Sequence, residues 1–244
     1  MRPLITAVGL LVAWEALVWV TGVPSYILPP PSRVLAVLAD RSDLLLAEAA
    51  WTAAEMLIGL MLGLALGASL AIVFAASAGW RRWALPLVIV SQAIPVIAIA
   101  PLLVLWLGYG MASKVAMAAL VIFFPVVSAL YDGLRRTNEG WLDLARTMDA
   151  SPRATLLQIR LPAALPAFAS GARIAAAVAP IGAVIGEWVG ASAGLGYLMT
   201  VSLARGQTPL AFAALVVLCL LGLALYYATD WATRRLVPWQ PQGE

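Results

Sequence analysis

The sequence has no histidine, one cysteine and one lysine among its 244 residues. Without histidine there is no Ser-His-Asp or Cys-His arrangement, and the commonest ligand for zinc is missing. The lone cysteine, Cys219, excludes an intrachain disulfide. The lone lysine, Lys114, lies in GMASKVAM, without the glycine loop of a G-x-x-x-x-G-K-[ST] nucleotide motif. We therefore predict no catalytic residue, no metal site and no cofactor in this chain; if ATP is used, another chain binds it.

Charge is scarce as well. Only 11% of the residues are charged, 63% are hydrophobic and the mean hydropathy is +0.95, whereas soluble domains are about 25% charged and about 45–50% apolar. The polar segments between the apolar stretches are too short to form a second domain. We predict a single all-α integral membrane domain over residues 1–244, embedded in a lipid bilayer.

Six apolar segments are candidate membrane spans, and proline, glycine or arginine-rich breaks separate them. The first has no convincing signal-peptide cleavage site before Pro24 and is interpreted as an uncleaved span. The predicted spans are about 4–21, 47–77, 84–107, 112–134, 168–190 and 209–233. Residues about 135–167 form a longer polar segment between the fourth and fifth spans.

The distribution of basic residues predicts the orientation. With the N-terminus inside, eleven basic residues fall on the cytoplasmic side and four outside. The four are Arg33, Arg41, Lys114 and Arg205. We therefore predict that both termini are cytoplasmic. This topology accounts for the net charge of +3, so no nucleic-acid partner is expected.

Glycine recurs every four residues in the second span, at Gly59, Gly63 and Gly67. A stripe of small residues lets two helices approach closely in lipid. Ordinary packing within the chain is the preferred interpretation, and a dedicated dimer face is the alternative.

The polar segment RRTNEGWLDLARTMDASPRATLLQIRLPAALP predicts two short helices. The first runs from Asp143 to Met148 and places Leu144, Ala145 and Met148 on one exposed apolar face. Ser151 followed by Pro152 is typical of a helix start, and Leu161-Pro162 would end the second helix near Arg160. Such a segment fits the groove of a partner protein better than it fits lipid, but on this pattern alone a merely solvated loop is the preferred interpretation.

The same segment resembles the cytoplasmic signature loop of binding-protein-dependent ABC permeases. Asp143-Leu144-Ala145 stands where that loop has E-A-A, Asp149 stands at its glycine, and Ile159, Leu161 and Pro162 match its I-x-L-P ending. The replacement of glycine by Asp149 is a departure, although aspartate tolerates a left-handed turn better than most residues.

Three further segments extend the resemblance over most of the chain. LPPPSRV is similar to the first external loop of the sulfonate, taurine, nitrate and pyrimidine-precursor permeases. SQAIPVIAIAPLLVLWLGYG is similar to their third span, and GEWVGASAGLGYLM to the end of their fifth.

The resemblance implies a type I-like importer permease fold with six transmembrane helices in a bacterial inner membrane. It implies a homodimer, a cytoplasmic ATPase dimer that binds ATP and Mg²⁺, and an external solute-binding protein. It also implies a small organic solute, such as a sulfonate, taurine or a pyrimidine precursor. The implied coupling residues that dock the ATPase are Asp143, Leu144, Ala145, Arg146, Met148, Asp149, Ala150, Ser151 and Arg153.

Two polar residues inside predicted spans are candidates for the translocation pathway or its gate. An ionised Glu187 in lipid costs roughly 2.5–3.5 kcal/mol, so it should be paired or face water. Its alternatives are an interfacial position or a structural role holding the following G-L-G loop. Gln92 either contacts the pathway or repairs the backbone bonds freed by the nearby prolines. Glu15 and Glu55 are interpreted as structural or interfacial.

Two other classes of protein compete with this interpretation. An ion-coupled secondary transporter would also be helical with a buried acid, but it needs no exposed signature loop and usually has an internal repeat, which we do not find. A membrane enzyme would need a nucleophile and a base, and no convincing pair is present.

Overall fold

A computed structural model describes residues 2–239; Met1 and residues 240–244, and with them the predicted chain ends, lie outside this range. The described residues form helices and connecting turns, with no strand among them. The helices are α1 (Arg2–Thr21), α2 (Pro31–Asp40), α3 (Ser42–Ala76), α4 (Ala78–Ser91), α5 (Val96–Leu107), α6 (Met111–Arg135), α7 (Glu139–Thr147), α8 (Pro152–Ala154), α9 (Leu161–Gly190), α10 (Leu195–Ala204) and α11 (Thr208–Leu236). A π-helical turn, Thr155–Arg160, joins α8 to α9.

Within residues 2–239, four helical segments are long and apolar enough to cross a membrane, where six spans were predicted. They are Ser42–Ala76, Met111–Arg135, Pro152–Gly190 and Thr208–Leu236. The first predicted span lies in α1, whose apolar part Val8–Thr21 is shorter than these. The predicted third span is a bent pair of helices, which would make a fifth crossing if it spans as one unit.

The bent pair corrects the prediction of a continuous span over 84–107. The axes of α4 and α5 meet at 102° across residues 92–95. Pro95 precedes α5 and cannot donate a backbone hydrogen bond, and its ring disfavours helical geometry at Ile94. The chain therefore breaks where the sequence SQAIP interrupts an otherwise apolar run.

The centre of the fold is α6, which packs between α3 and α9. Each glycine of the predicted stripe on α3 faces α6, with Gly59 against Ala118 and Gly67 against Val126. A Cβ added to Gly182 of α9 would lie 2.7 Å from Cα of the same Ala118. The three helices thus approach to backbone contact, and packing within the chain is confirmed as the use of the glycine stripe.

The helix that begins after Ser151 does not end at Leu161-Pro162, as the sequence predicted. It passes through the π-helical turn directly into α9 and forms one helical segment from Pro152 to Gly190. The wider π turn changes the hydrogen-bond pattern just before Pro162, where an α-helix would require the N–H that proline lacks. The proline is therefore accommodated at the start of α9.

Two helices on the other side of the bundle were missed in the sequence. Helix α2 begins within the proline-rich segment, with Pro31 in its first turn. Glu15 of α1 accepts hydrogen bonds from the backbone N–H and the hydroxyl of Ser32, at 3.0 and 2.8 Å, and so satisfies the start of α2. The structural interpretation of Glu15 is thereby confirmed. Helix α10 lies in the segment between the last two predicted spans.

Candidate functional site

The polar segment between α6 and α9 folds as a helix followed by a tight corner. Asn138 caps α7, accepting a hydrogen bond of 2.8 Å from the N–H of Gly140. The helix therefore begins at Glu139, four residues before the predicted start at Asp143. Asp149 has φ +52° and is the only residue other than glycine with positive φ among residues 2–239.

Asp149 ends α7 in a Schellman motif. The N–H of Ala150 donates to the carbonyl of Ala145 at 2.9 Å, and the N–H of Asp149 donates to the carbonyl of Arg146 at 3.1 Å. Ser151 then caps α8 by accepting a hydrogen bond of 3.2 Å from the N–H of Ala154. The left-handed conformation expected of Asp149 and the helix start expected at Ser151 are both confirmed.

The apolar face of α7 is only partly as predicted. Leu144 and Met148 are 59% and 72% exposed, and large apolar side chains so exposed at a polar loop are available to a partner. Ala145 is buried at 4% exposure. It lies on the inner side of the helix, so the prediction of an exposed Ala145 is wrong.

The charged side chains of this corner point outward. Arg146 and Asp143 form an ion pair of 2.6 Å in which both side chains are largely exposed. Such a pair contributes little to stability, and Arg153 at the start of α8 is also exposed. Behind the exposed side chains lies an apolar groove of about 390 Å³, whose lining includes Trp141, Leu144, Met148, Pro162 and Trp239.

At the opposite end of the bundle, Glu187 of α9 is almost completely buried, at 1% exposure. Thr52 of α3 donates to its Oε1 at 2.6 Å, and the N–H of Gly196 donates to its Oε2 at 2.5 Å. Glu48 accepts a hydrogen bond of 2.5 Å from the N–H of Gly194. These bonds hold the loop 191–194 and the start of α10 against α3, which is the structural alternative predicted for Glu187.

The carboxyl group of Glu55 lies beside that of Glu187. Glu55 is 3% exposed, and its Oε2 has no hydrogen-bond partner. Its structural interpretation agrees with its burial between helices. The sequence did not predict that it meets Glu187.

Gln92 lies at the break between α4 and α5 and is exposed. Its side-chain amide donates to the hydroxyl of Ser91 at 3.2 Å. The backbone N–H of Gln92 is bonded to Ile89 and Val90 within α4. Among the described hydrogen bonds, none joins the side chain of Gln92 to a backbone group freed by the nearby prolines, as the repair role would require. Gln92 and Glu187 are not brought together in the structure.

An apolar groove of about 670 Å³ runs beside α9, between α5, α6, α10 and α11. Trp188 lies in its wall and is 50% exposed, next in sequence to the buried Glu187. The other lining residues are Val96, Ile97, Val121, Pro180, Ile181, Val184, Ile185, Met199, Leu215 and Leu218. No single segment of the sequence marks this groove, because five helices contribute to it.

The family described as "Binding-protein-dependent transport system inner membrane component" matches residues 56–240, about three quarters of the chain. The chain belongs to this family. It is thus the membrane-spanning permease component of an ABC importer, as the signature-loop resemblance implied. A member of this family works with an ATPase and with a solute-binding protein.

Curated relatives support the same assignment over nearly the whole length. The permease is 50% identical to a "Probable ABC transporter permease protein" of Haemophilus influenzae over 97% of both chains. It is 38% identical to the formylaminopyrimidine transport permease protein ThiX of Halalkalibacterium halodurans, over 98% of this chain and 96% of that one. It is 37% identical to the riboflavin transport system permease protein RibX of Chloroflexus aurantiacus, over 97% and 89%.

A solved structure supports the fold of the permease. A chain of the MetNI methionine ABC transporter, in an inward facing conformation, aligns with a TM-score of 0.70 and 20% identity. The alignment covers 81% of this chain and 98% of that one. At this identity the similarity shows the fold alone.

Sequence reasoning assigned one residue of the permease to the outer side without predicting its burial. Lys114 is 3% exposed near the start of α6, at the end of that helix away from α7. Its Nζ donates to the carbonyls of Gly110 and Gly190, at 3.0 and 2.7 Å, and also to the carbonyl of Tyr109. Lys114 thereby ties the last turn of α9 to the turn before α6. The signal in the sequence was that it is the only lysine and lies within an apolar helix.

Proposed function

We propose that the permease imports a small organic solute of the pyrimidine-precursor type, received from an external binding protein. The observation that carries this proposal is the pair of relatives named for formylaminopyrimidine and riboflavin, at 38% and 37% identity over nearly the whole chain. The relatives named for aliphatic sulfonates and taurine are 26–27% identical. Both named solutes of the more similar pair contain a planar nitrogen heterocycle.

The groove beside α9 supports a heterocyclic solute. Its wall is almost entirely apolar, and it presents the half-exposed ring of Trp188. A flat aromatic ring packs well against an indole and between aliphatic side chains. In this proposal the groove forms one wall of the pathway, and a second copy of the permease supplies the facing wall.

Energy enters through the loop between α6 and α9. The exposed side chains of Leu144 and Met148, next to the fixed turn at Asp149, form the surface that the ATPase would bind. The nine predicted docking residues, Asp143 to Arg146, Met148 to Ser151 and Arg153, therefore remain our proposed contact, with Ala145 supporting it from beneath. The ATPase would bind ATP and Mg²⁺, and the permease itself would catalyse no reaction.

Glu187 and Gln92 have different proposed roles. Glu187 acts in the gate at the outer end by holding the loop before α10, since its carboxylate is buried and fully engaged with α3 and α10. Gln92 lies on the exposed break four residues before Val96, which lines the groove. We assign Gln92 to the pathway.

The orientation proposed from the sequence puts α7 in the cytoplasm and both termini on the same side. The structure supports this arrangement, because the ends of α6 and α11 and the starts of α4 and α8 all carry arginines. These are Arg81, Arg82, Arg135, Arg136, Arg153, Arg234 and Arg235.

The test is uptake by proteoliposomes that contain the permease and the ATPase encoded beside it, with the neighbouring binding protein outside. Labelled formylaminopyrimidine, riboflavin and taurine are compared with ATP enclosed or absent. We expect uptake of the pyrimidine only with both ATP and the binding protein. The Trp188→Ala variant should reduce that uptake by about tenfold, because it removes one favourable aromatic contact with the solute. Trp83→Ala, which removes an exposed tryptophan outside the groove, should leave it unchanged.

Two results would overturn this proposal. Uptake of taurine in preference to both heterocycles would move the solute class to the sulfonate type. Uptake driven by an ion gradient without ATP would replace the importer with the secondary transporter considered above.

A further inference from the structure

A second, strongly basic cleft lies beside the loop that connects α6 to α9. It has a volume of about 650 Å³ and is formed by the start of α4, the end of α6 and the π-helical turn before α9. Four arginines from three separate parts of the chain converge on it: Arg81, Arg82, Arg135 and Arg160. Nothing in the proposed transport mechanism uses this cleft.

Among the residues that the structure describes, no carboxylate forms an ion pair with any of the four guanidinium groups. The three ion pairs found within residues 2–239 use other arginines. Arg135 lies over the ring of Tyr131 at 5.6 Å, and the Nε of Arg160 is buried without a hydrogen-bond acceptor. Like charges gathered without a counter-charge repel one another, and a buried unpaired donor is costly. An anion in the cleft would relieve the repulsion between these charges.

The surroundings of the cleft are typical of the boundary between lipid and water. Trp80 and Trp83 on α4 are 66% and 79% exposed, as expected for tryptophans at the headgroup level. Leu85 and Pro86 form an apolar part of the lining. The N-terminus of α4, a 14-residue helix, also begins here and adds a favourable dipole for an anion. The cleft therefore combines cationic groups with an apolar wall suited to an acyl chain.

The geometry points to this cleft as a binding site for the phosphate headgroup of an anionic phospholipid in the cytoplasmic leaflet. The leaflet follows from the orientation proposed above; the binding itself does not depend on the transported solute. Basic pockets between transmembrane helices on this side of a membrane are a known form of headgroup recognition. The bound lipid would link the bent α4–α5 pair to α6 and α9 next to the coupling loop.

Two double variants each remove two positive charges, one from the cleft and the other from the surface outside it. The Arg82→Gln/Arg160→Gln double variant removes two cations from the cleft. The Arg136→Gln/Arg235→Gln double variant removes two exposed cations from the same end of the bundle but outside the cleft and outside the proposed docking residues. Because Arg160 is half-buried, Arg81→Gln/Arg82→Gln on the surface of α4 provides a second cleft variant. Size-exclusion profiles and circular dichroism establish that each variant is folded.

Binding is measured by native mass spectrometry of the purified full-length chain, titrated with phosphatidylglycerol, phosphatidylcholine or inorganic phosphate. We expect wild type to retain phosphatidylglycerol in preference to phosphatidylcholine. The cleft variants should bind phosphatidylglycerol about tenfold more weakly, since each arginine near an anionic headgroup contributes substantially. The control double variant should remain within about twofold of wild type, which separates a built site from general charge attraction.

Three results would overturn the inference. Equal losses in the cleft and control variants would show nonspecific attraction of the lipid. Binding of inorganic phosphate without preference for phosphatidylglycerol would assign the cleft to a soluble anion. Failure of wild type to retain phosphatidylglycerol would contradict the proposed site directly, and loss of the ATPase from the cleft variants in that case would assign the arginines to an acidic surface of that partner.

Discussion

Thr52 of α3 joins α9 to α10 through a single hydroxyl group. It donates to Oε1 of Glu187 at 2.6 Å and accepts a hydrogen bond of 2.8 Å from the N–H of Leu195. Thr52 is completely buried, so neither bond can be replaced by bulk water. Thr52 therefore fixes the loop before α10 to α3, although the sequence analysis did not identify this residue.

Replacing Thr52 by valine keeps the shape of the side chain and removes both bonds. We expect Thr52→Val to lower the free energy of unfolding by about 2–4 kcal/mol, since a carboxylate oxygen and a buried N–H lose a partner. Thermal unfolding in detergent measures the loss. The control is Thr200→Val, whose hydroxyl only returns to the carbonyl of Gly196 in its own helix; its effect should stay within about 0.5 kcal/mol. Equal effects of the two variants would contradict the role of Thr52.

Because Asp149 has a left-handed backbone conformation, we expect glycine to be tolerated better than valine at this position. Asp149→Gly should preserve or slightly strengthen the corner, because glycine adopts φ +52° without a steric penalty. Asp149→Val should weaken it by about 1–2 kcal/mol, since a β-branched residue opposes this conformation. Co-purification with the ATPase is the measurement, and the glycine variant should retain the complex better than the valine variant. The reverse order would show that the carboxylate of Asp149, rather than its backbone, makes the contact.

The exposed apolar side chains of α7 predict where the ATPase is held. Met148→Glu should abolish co-purification of the ATPase while the permease remains folded, because Met148 is 72% exposed and a charge there changes only the outer surface. Leu236→Glu, at a half-exposed position at the end of α11, is the matched control and should retain the complex. Ala145→Glu is a poor probe because Ala145 is buried and the variant would disturb the fold. An intact complex with Met148→Glu would remove α7 from the docking surface.

The contact between α3 and α6 predicts a steric effect of one methyl group. A Cβ at Gly67 would lie 2.7 Å from the backbone oxygen of Phe123, which cannot move aside as a side chain can. We expect Gly67→Ala to destabilise the permease by about 1–3 kcal/mol. Gly9→Ala in α1 is the control, since nothing lies within 4 Å of its added Cβ, and it should be neutral or slightly stabilising. Unfolding by heat in the same detergent compares them.

The turn between α7 and α8 was predicted correctly because its determinants are local. A proline after a serine, an aspartate at a position that needs positive φ, and neighbouring apolar residues act within a few residues of one another. The burial of Ala145 was not predictable in this way. Leu144 and Ala145 are adjacent, and only the packing of α7 against the rest of the chain decides which of them is covered.

The positions of proline predicted the ends of helices only in part. Pro95 does break the third predicted span, as the sequence SQAIP suggests, but Pro162 does not end its helix. The difference lies in the hydrogen bonds around each residue, because a π-helical turn precedes Pro162 and absorbs the missing donor. The length of the apolar segments was therefore not enough to predict the number of membrane-spanning helices. That number also depends on whether each proline ends its helix or is accommodated within it.

Composition and short-range pattern alone determined that this chain is an all-α membrane protein, and the resemblance of its short motifs identified the family and the segment that we propose contacts the ATPase. Those properties depend on hydropathy and on residues within one or two helical turns. The tertiary structure decided the rest, because the interactions that matter there join distant residues. Thr52 and Glu187 are 135 positions apart, and the four arginines of the basic cleft come from three helical segments. Only the folding of α3, α4, α6 and α9 against one another brings such groups together, since no local pattern records which buried polar group will meet which partner.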